Sequence, residues 1–116
     1  MEDRVVTIYV EKRPYVDYFL EEMSKHYEVI IFTASLSKYA DPLMDQMDPH
    51  GFCVERLYRE HCSFINGVFT KDMTKLGRPL KDVIFIDNSP TSYFLQPENA
   101  LPILSWYNDK RDVMLR

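Results

Sequence analysis

Residues 28–32 read EVIIF, a short run in which four apolar side chains follow a single glutamate. A continuous apolar run of this length is typical of a parallel strand that is covered on both faces. A second run of the same kind, DVIFI, occupies residues 82–86. The first run leads into Thr33 and the second into Asp87. The pattern therefore predicts an α/β layered fold with two buried parallel strands that end in polar loops.

Apolar residues at helical spacing predict the helices that would cover these strands. The first helix is expected over residues 14–26 and the second over residues 38–47. β-branched and aromatic residues predict further strands. These strands occupy residues 4–10, 53–58 and 101–104.

A hairpin interrupts this alternation of strands and helices. The runs Ser63–Ile65 and Val68–Thr70 flank the dipeptide Asn66-Gly67. Asn-Gly is the preferred centre of a type I′ turn, because both central residues of that turn need a positive φ. We therefore predict a β-hairpin inserted into the α/β fold.

Composition excludes several classes of function. The chain has 116 residues, 46% of them hydrophobic, which suits one domain or part of one. Its net charge of −4 argues against direct binding of nucleic acid through a broad basic surface. Three glycines leave no GxGxxG or GxxxxGK[ST] nucleotide loop. No apolar run is long enough to predict a membrane segment, and Cys53 and Cys62 are expected to be two isolated reduced thiols.

Polar residues at the strand ends are the first candidates for chemistry, because ligands of parallel sheets bind beyond the carboxyl ends of the strands. Thr33 has the hydroxyl that a phosphate site needs, although a hydroxyl in a loop or helix cap has the same sequence pattern. Asp87 has the carboxylate that Mg²⁺ prefers, although aspartate shortly before Pro90 also suits a turn. The residue pattern alone leaves both alternatives open.

Further candidates are equally ambiguous when each is taken alone. Lys71 follows the predicted hairpin and is either a phosphate-binding cation or a solvated surface charge. Arg59 is either a ligand-binding cation or part of a surface salt bridge. Leu36 and Tyr39 are candidates for a binding surface or for the core.

The combination of motifs is much more specific than its parts. The motifs are FTAS (32–35), KYADP (38–42), REHC (59–62), KD (71–72) and IDNSP (86–90). In the order and spacing of these motifs the chain resembles, over residues 10–106, the small phosphatases of the RNA polymerase II C-terminal domain and the related Dullard-type phosphatases of the haloacid-dehalogenase superfamily. The resemblance implies a Rossmannoid parallel sheet and magnesium-dependent dephosphorylation of phosphoserine or phosphothreonine proteins through a phosphoaspartyl enzyme.

The resemblance also implies roles for individual residues. Thr33 matches the hydroxyl that binds the transferred phosphoryl group, and Lys71 matches the lysine that neutralises its charge. Asp87 matches the magnesium-ligating aspartate, and Asn88 matches the neighbour that completes the metal site. Three more positions match the lining of the phosphopeptide groove. They are Leu36, Tyr39 and Arg59.

One departure from the family pattern concerns the attacking group. These enzymes attack phosphorus with the first aspartate of AspxAspxThr, and the second aspartate protonates the leaving oxygen and later activates water. No AspxAspxThr or AspxAspxVal occurs in the 116 residues, so no nucleophile is assigned. Without it, covalent catalysis has no first step. Magnesium also loses one of two carboxylates, so we expect Mg²⁺ binding by this chain to be weak or absent.

Three interpretations follow from this departure. The first is that residues 1–116 are a partial, N-terminally truncated domain of an intracellular (nuclear or cytoplasmic) protein phosphatase, inactive alone. Its missing strand would be the central one, which would leave the EVIIF and DVIFI strands facing a gap. The second is a non-catalytic module that binds phosphopeptides or a partner, as in the related mitochondrial import receptor. The third is a split enzyme whose nucleophile comes from another polypeptide.

Overall fold

The computed structural model describes residues 12–103 and 114–115. The strand predicted over residues 4–10 lies outside this part of the chain, as does Leu104 at the end of the last predicted strand. Short 3₁₀ turns connect the main elements. In chain order these elements are α1 Val16–Ser24, β1 Val29–Phe32, α2 Ser37–Met47, β2 Cys53–Leu57, β3 Ser63–Ile65, β4 Val68–Thr70, β5 Phe85–Asp87, α3 Pro90–Tyr93 and β6 Ala100–Pro102.

The strands confirm the predicted α/β class with parallel pairing. β1 and β2 are parallel, with Phe32 opposite Leu57 at their carboxyl ends. β5 and β6 are also parallel, with Asp87 opposite Pro102. β3 and β4 pair in antiparallel fashion as the hairpin insert. Within residues 12–103 these pairs are three separate two-stranded sheets, and β1 and β5 are not hydrogen-bonded to each other.

The hairpin turn has the conformation that its sequence predicts. Asn66 has a φ of 51° and Gly67 a φ of 80°, so both central residues are left-handed as a type I′ turn requires. The turn brings Phe69 opposite Phe64 across the two strands. The prediction for this segment is therefore confirmed.

The DVIFI strand is shifted along the chain relative to the prediction. β5 begins at Phe85 and includes Asp87 as its last residue. The preceding segment is a 3₁₀ turn over Leu80–Asp82. The side-chain amide of Asn99 holds this segment, since its Nδ2 donates to the carbonyl oxygens of Leu80 at 2.7 Å and Val83 at 2.9 Å. The Asn99 side chain thus occupies the backbone carbonyl of Val83 at the start of the DVIFI run, and β5 begins only at Phe85.

The prediction of strands buried on both faces was wrong for the described part of the molecule. The residues of β1 are half-buried, while Ile84 and Ile86 of the DVIFI run are exposed. Within that part, β1 and β5 each pair with a strand on one side, and an edge strand exposes more side-chain area than a central one. The apolar core is small as a result. Its buried members are Leu20, Ala40, Met73 and Phe85.

Two remaining expectations concern helices and thiols. Within residues 12–103 and 114–115, no helix combines the length and apolarity needed to cross a bilayer. Cys53 and Cys62 are both free and half-buried, as expected.

Candidate functional site

The loop after β1 presents Thr33 at the carboxyl end of the parallel pair. The Thr33 N–H donates to the Leu57 carbonyl at 2.9 Å and so continues the β1–β2 ladder by one residue. The Thr33 hydroxyl accepts a hydrogen bond from the Ser35 N–H at 3.1 Å. Because the hydroxyl oxygen is the acceptor here, its own hydrogen points elsewhere and is available to a ligand oxygen. The loop-hydroxyl and phosphate-binding interpretations of Thr33 are therefore compatible.

Lys71 and Asp87 form the central contact of the candidate site. The Lys71 Nζ donates to Asp87 Oδ2 at 2.6 Å, and the two side chains are only 10% and 9% exposed. The backbone of Lys71 is held by its N–H bond to the Ser92 carbonyl at 3.0 Å. Removing two charges from water has a large desolvation cost, which a close pair with good geometry offsets. The structure thus joins two residues that the sequence separates by sixteen positions.

Two phenylalanine rings place this ion pair relative to the strands. The Lys71 Nζ lies 5.7 Å from the ring centroid of Phe32 and 5.7 Å from that of Phe85. Phe32 directly precedes Thr33, and Phe85 lies two residues before Asp87. The ammonium therefore lies where the carboxyl ends of β1 and β5 approach each other, next to the loop that begins at Thr33.

The turn after β5 uses the second oxygen of the same carboxylate. Asp87 Oδ1 accepts the Ser89 N–H at 2.9 Å, which is the turn geometry expected of aspartate at this position. Asn88 is exposed directly beside it. The Asp87 carbonyl also accepts the N–H of Ile103 at 3.1 Å, which fixes the strand end. Asp87 therefore forms a turn and pairs with Lys71 at the same time.

The described residues do not fit a complete magnesium site. Both oxygens of Asp87 are engaged, by Lys71 and by the Ser89 N–H. In residues 12–103 and 114–115 no three His, Cys, Asp or Glu side chains come together as metal ligands. Mg²⁺ demands a near-octahedral set of oxygen ligands, and one engaged carboxylate does not supply it.

Arg59 is one of the three residues predicted to line a peptide groove, and it is hydrogen-bonded to the loop after β1. The Arg59 Nε donates to the Ala34 carbonyl at 2.7 Å, and its backbone N–H donates to the Ser35 carbonyl at 3.1 Å. Arg59 is thus fixed to the loop that contains Thr33. Leu36 and Tyr39 are exposed at the start of α2, so the interpretation of them as core residues was wrong.

Sequence reasoning missed two aromatic residues beside this loop. The Arg59 guanidinium lies 5.3 Å from the ring centroid of Phe69, and the Phe69 and Phe64 centroids are 5.0 Å apart. The signal that was available is the spacing of Phe69 and Lys71, which places alternate residues of an extended segment on one side.

The neighbouring thiol responds to both cations of the site. Burial raises the pKa of Cys62, and the positive charges of Lys71 and Arg59 oppose that rise without cancelling it. A thiol with a raised pKa is a poor nucleophile at neutral pH.

Comparison with known proteins identifies the family. The model of the NLI interacting factor-like phosphatase family matches residues 1–116. This chain belongs to that phosphatase family. The resemblance proposed from the motifs is therefore confirmed at the level of the family.

Several relatives agree closely with this phosphatase-family chain. The human "CTD small phosphatase-like protein" is 51% identical over 108 residues, which are 93% of this chain and 39% of the relative. The mouse "Carboxy-terminal domain RNA polymerase II polypeptide A small phosphatase 2" is 50% identical over 108 residues, 93% of this chain and 40% of the relative. The yeast "Phosphatase PSR1" is 46% identical over 112 residues, 97% of this chain and 26% of the relative. The chain thus spans about two fifths or less of the length of these curated relatives.

Proposed function

We propose that this chain forms the phosphoryl-binding part of a protein serine/threonine phosphatase. The observation that carries the proposal is the nearly buried Lys71–Asp87 pair at the edge where β1 and β5 end. A buried lysine held by a carboxylate beside an accessible hydroxyl has the charge and the donors that a phosphoryl group requires. Family membership supports the reaction class.

Each site residue has a defined role in this proposal. Lys71 uses one of its three N–H donors on Asp87 and offers its positive charge to the phosphoryl oxygens. Asp87 holds the ammonium in place, and Thr33 donates its hydroxyl hydrogen to the same phosphoryl group. Asn88 contributes its side-chain amide from the exposed side. These functions suit phosphoryl transfer, which depends on positioning and on charge neutralisation.

The substrate of this site is a phosphoserine or phosphothreonine in a protein or peptide. Leu36, Tyr39 and Arg59 supply an apolar and cationic lining for the chain around the phosphorylated residue. The name of one relative refers to the carboxy-terminal domain of RNA polymerase II, which supports an intracellular protein rather than a nucleic acid as the partner.

Catalysis requires a group that these 116 residues do not contain. With no AspxAspxThr in the sequence, this chain alone binds the phosphorylated residue without hydrolysing it. Mg²⁺ is the cofactor that the family implies, and the single engaged carboxylate supports weak or absent binding by this chain alone.

Binding of a phosphoserine peptide to the full chain tests the phosphoryl site. Fluorescence anisotropy should show that Lys71→Ala weakens binding by about tenfold or more, because one charge-assisted hydrogen bond is lost. Lys81→Ala, which removes an exposed lysine elsewhere, should change the affinity by less than about twofold. Equal binding of the phosphorylated and unphosphorylated peptides would contradict the proposal.

A turnover assay tests the missing nucleophile. An aryl phosphate with Mg²⁺ should not be hydrolysed by this chain, and an added upstream strand with AspxAspxThr should restore hydrolysis. Metal-dependent turnover by the unmodified chain would contradict the proposal that this chain alone does not hydrolyse phosphate esters.

A non-catalytic binding module is the second candidate. It is favoured by the same absence of AspxAspxThr together with the engagement of both Asp87 oxygens. If the chain with the added AspxAspxThr strand folds and binds the phosphopeptide but does not hydrolyse the aryl phosphate, the non-catalytic binding module replaces the phosphatase as the proposed function.

A further inference from the structure

The KD motif contains an aspartate to which the proposed function gives no role. Asp72 directly follows Lys71, and its Oδ1 accepts a hydrogen bond from the side-chain amide of Gln96 at 3.1 Å. The same oxygen accepts the N–H of Thr74 at 3.0 Å and the Thr74 hydroxyl at 2.6 Å. The Thr74 hydroxyl is the main influence that lowers the pKa of Asp72, and the Gln96 amide lowers that pKa further. The side chain of Asp72 is therefore a carboxylate at neutral pH, which can only accept hydrogen bonds.

Gln96 is the buried partner of this aspartate. The residue is only 7% exposed, and both polar atoms of its amide are engaged. Its Oε1 accepts the Met73 N–H at 2.8 Å, while its Nε2 donates to Asp72. Because a backbone N–H can only donate and a carboxylate can only accept, these two partners fix the orientation of the amide. A primary amide carries an acceptor and a donor on one carbon, so it meets both demands without adding a charge.

The segment that carries Lys71 is attached to the rest of the molecule on both sides of this residue. On the amino-terminal side, the Thr70 hydroxyl and the Lys71 N–H both donate to the Ser92 carbonyl, at 3.2 Å and 3.0 Å. On the carboxyl-terminal side, the next two residues are held by the side chain of Gln96. The consecutive positions 70 to 73 are therefore all bound to positions 92 and 96.

The attachment reaches the ion-pair partner of Lys71 as well. Positions 92 and 96 follow the turn in which Asp87 Oδ1 accepts the Ser89 N–H. The same stretch of chain thus begins at Asp87 and holds the backbone of Lys71. Lysine has a long and flexible side chain, so the 2.6 Å contact with Asp87 does not by itself determine where the Lys71 backbone lies. Hydrogen bonds to the backbone on both sides of Lys71 supply that constraint.

We propose that Gln96 is a positioning residue of the phosphoryl site, which binds Asp72 and Met73 and so fixes the backbone from which Lys71 reaches Asp87. This inference rests on the proposed function and adds to it the contact that holds the phosphate-binding cation in place. Gln96 acts only through Lys71 and does not itself touch the substrate. An ammonium that is held in position before binding loses less conformational freedom when the phosphoryl group arrives.

An exchange of the amide and the carboxylate tests the inference. Gln96→Glu places a second carboxylate against Asp72, so two acceptors face each other and their hydrogen bond is lost. Asp72→Asn added to Gln96→Glu can restore this contact with its roles reversed, because the amide is then at position 72 and the carboxylate at position 96. The double variant has the net charge of the wild type and side chains of nearly the same size. Its difference from Gln96→Glu therefore reports on the hydrogen bond.

Chemical labelling measures the position of Lys71 without any phosphate ligand. Dilute acetylating reagent and mass spectrometry compare Lys71 with Lys81, which is exposed in the same molecule. In the wild type Lys71 should react about tenfold more slowly than Lys81 or slower still, because its amine is buried and paired. Gln96→Glu should raise the ratio of Lys71 to Lys81 labelling by about threefold or more, and the double variant should return it to within about twofold of the wild type.

Peptide binding measures the consequence for the phosphoryl site. Anisotropy titrations with a labelled phosphoserine peptide should show that Gln96→Glu weakens binding by about fivefold or more and that the double variant recovers most of this loss. Gln96→Leu removes the donor and the acceptor without adding a charge. It should match Gln96→Glu in both assays, which separates loss of the contact from repulsion between a new carboxylate and the phosphate.

Asp48→Ala is the matched control for a general loss of stability. Its side chain also holds two backbone N–H groups, those of Phe52 and Cys53, but at the end of α2. Asp48→Ala should leave both the labelling ratio of Lys71 and the affinity for the phosphoserine peptide within about twofold of the wild type.

The outcomes separate this inference from the function on which it rests. If Gln96→Leu leaves the labelling ratio unchanged, or if Asp48→Ala raises it equally, Gln96 does not position Lys71 and the phosphoryl site is unaffected. If the labelling changes as expected but the wild-type chain binds phosphorylated and unphosphorylated peptides equally, Gln96 positions the ion pair and the proposed function is rejected. If Gln96→Glu does not fold, the double variant decides: recovery of the fold and of the labelling ratio supports the inference, and failure to recover overturns it.

Discussion

The Lys71–Asp87 and Arg78–Glu28 ion pairs have similar chemistry and very different surroundings. The first has one contact of 2.6 Å and side chains that are 10% and 9% exposed. The second has two contacts, of 2.9 Å and 3.0 Å, but its side chains are 53% and 58% exposed. Water screens the exposed pair and competes for its donors, so good geometry there contributes little to stability. A buried pair persists only where its geometry repays desolvation, which makes it the better indicator of a functional site.

The pKa values of the exposed pair show that a strong local interaction is not equivalent to stability. Hydrogen bonding from Arg78 and its charge lower the pKa of Glu28, and Glu28 raises the pKa of Arg78 in return. Both groups are in contact with solvent, so most of this interaction is replaced by water when the chain unfolds.

The largest expected effect comes from breaking the buried pair. Asp87→Ala leaves the Lys71 ammonium buried without its partner, and we expect the free energy of unfolding to fall by about 3–5 kcal/mol. Urea denaturation followed by circular dichroism measures this change.

A double variant controls for the packing role of the pair. Lys71→Met with Asp87→Leu replaces both charges by apolar groups and should be more stable than Asp87→Ala. If the double variant is as unstable as the single one, burial of an unpaired charge is not the cause of the loss.

An intermediate effect is expected at Asp48, a buried carboxylate that has backbone partners. It ends α2, and its two oxygens accept the N–H groups of Phe52 at 2.9 Å and Cys53 at 2.8 Å. Asp48→Ala should lower the free energy of unfolding by about 1–3 kcal/mol, because two half-buried donors lose their acceptor. Asp45→Ala removes an exposed aspartate of the same helix and should have a clearly smaller effect in the same urea titration. Equal losses would contradict this view of Asp48.

A smaller effect is the pH dependence that Asp48 contributes. Burial by itself would raise the pKa of Asp48, but the hydrogen bonds from the Cys53 and Phe52 N–H groups outweigh it and lower the pKa below 3.8. Its stabilisation is therefore complete above its ordinary pKa and is lost as the pH falls through the lowered value. As the pH falls below the ordinary aspartate pKa of about 3.9, the wild-type chain should lose more stability than Asp48→Asn, which does not titrate. Parallel losses in urea titrations at several pH values would refute this.

The smallest effect is expected at the exposed pair. Glu28→Gln should leave the thermal unfolding midpoint unchanged within replicate error, at low salt and at about 1 M sodium chloride. A clear, salt-dependent fall in the unfolding midpoint of Glu28→Gln would show that solvent exposure does not explain the difference between the Arg78–Glu28 and Lys71–Asp87 pairs.

Local sequence patterns predicted the element types well. α1, α2, β1, β2 and the hairpin lie where spacing and turn residues predicted them, because helical periodicity and the demand for positive φ are local properties. The start of β5 was predicted too early, because the side chain of Asn99 holds the preceding turn from far along the chain. Long-range contacts of this kind leave no local signal.

The candidate site likewise has features that the sequence predicted and features that only the tertiary structure showed. Its residues were named from motifs, and their roles in binding remain predictions. The exposure of Leu36 and Tyr39, and the ring pair of Phe64 and Phe69, emerged only when the elements were assembled. A phenylalanine in a hairpin is compatible with core or surface until its neighbours are known.

From the order of residues alone, the family, the alternation of strands and helices, and the type I′ turn were determined, since each depends on short motifs or on neighbouring residues. Only the tertiary structure decided that Lys71 pairs with Asp87 and that Arg59 stacks on Phe69. The physical reason is that these contacts join positions ten or more residues apart. Their free energy depends on how much water the surrounding elements exclude, and that is a property of the packed chain.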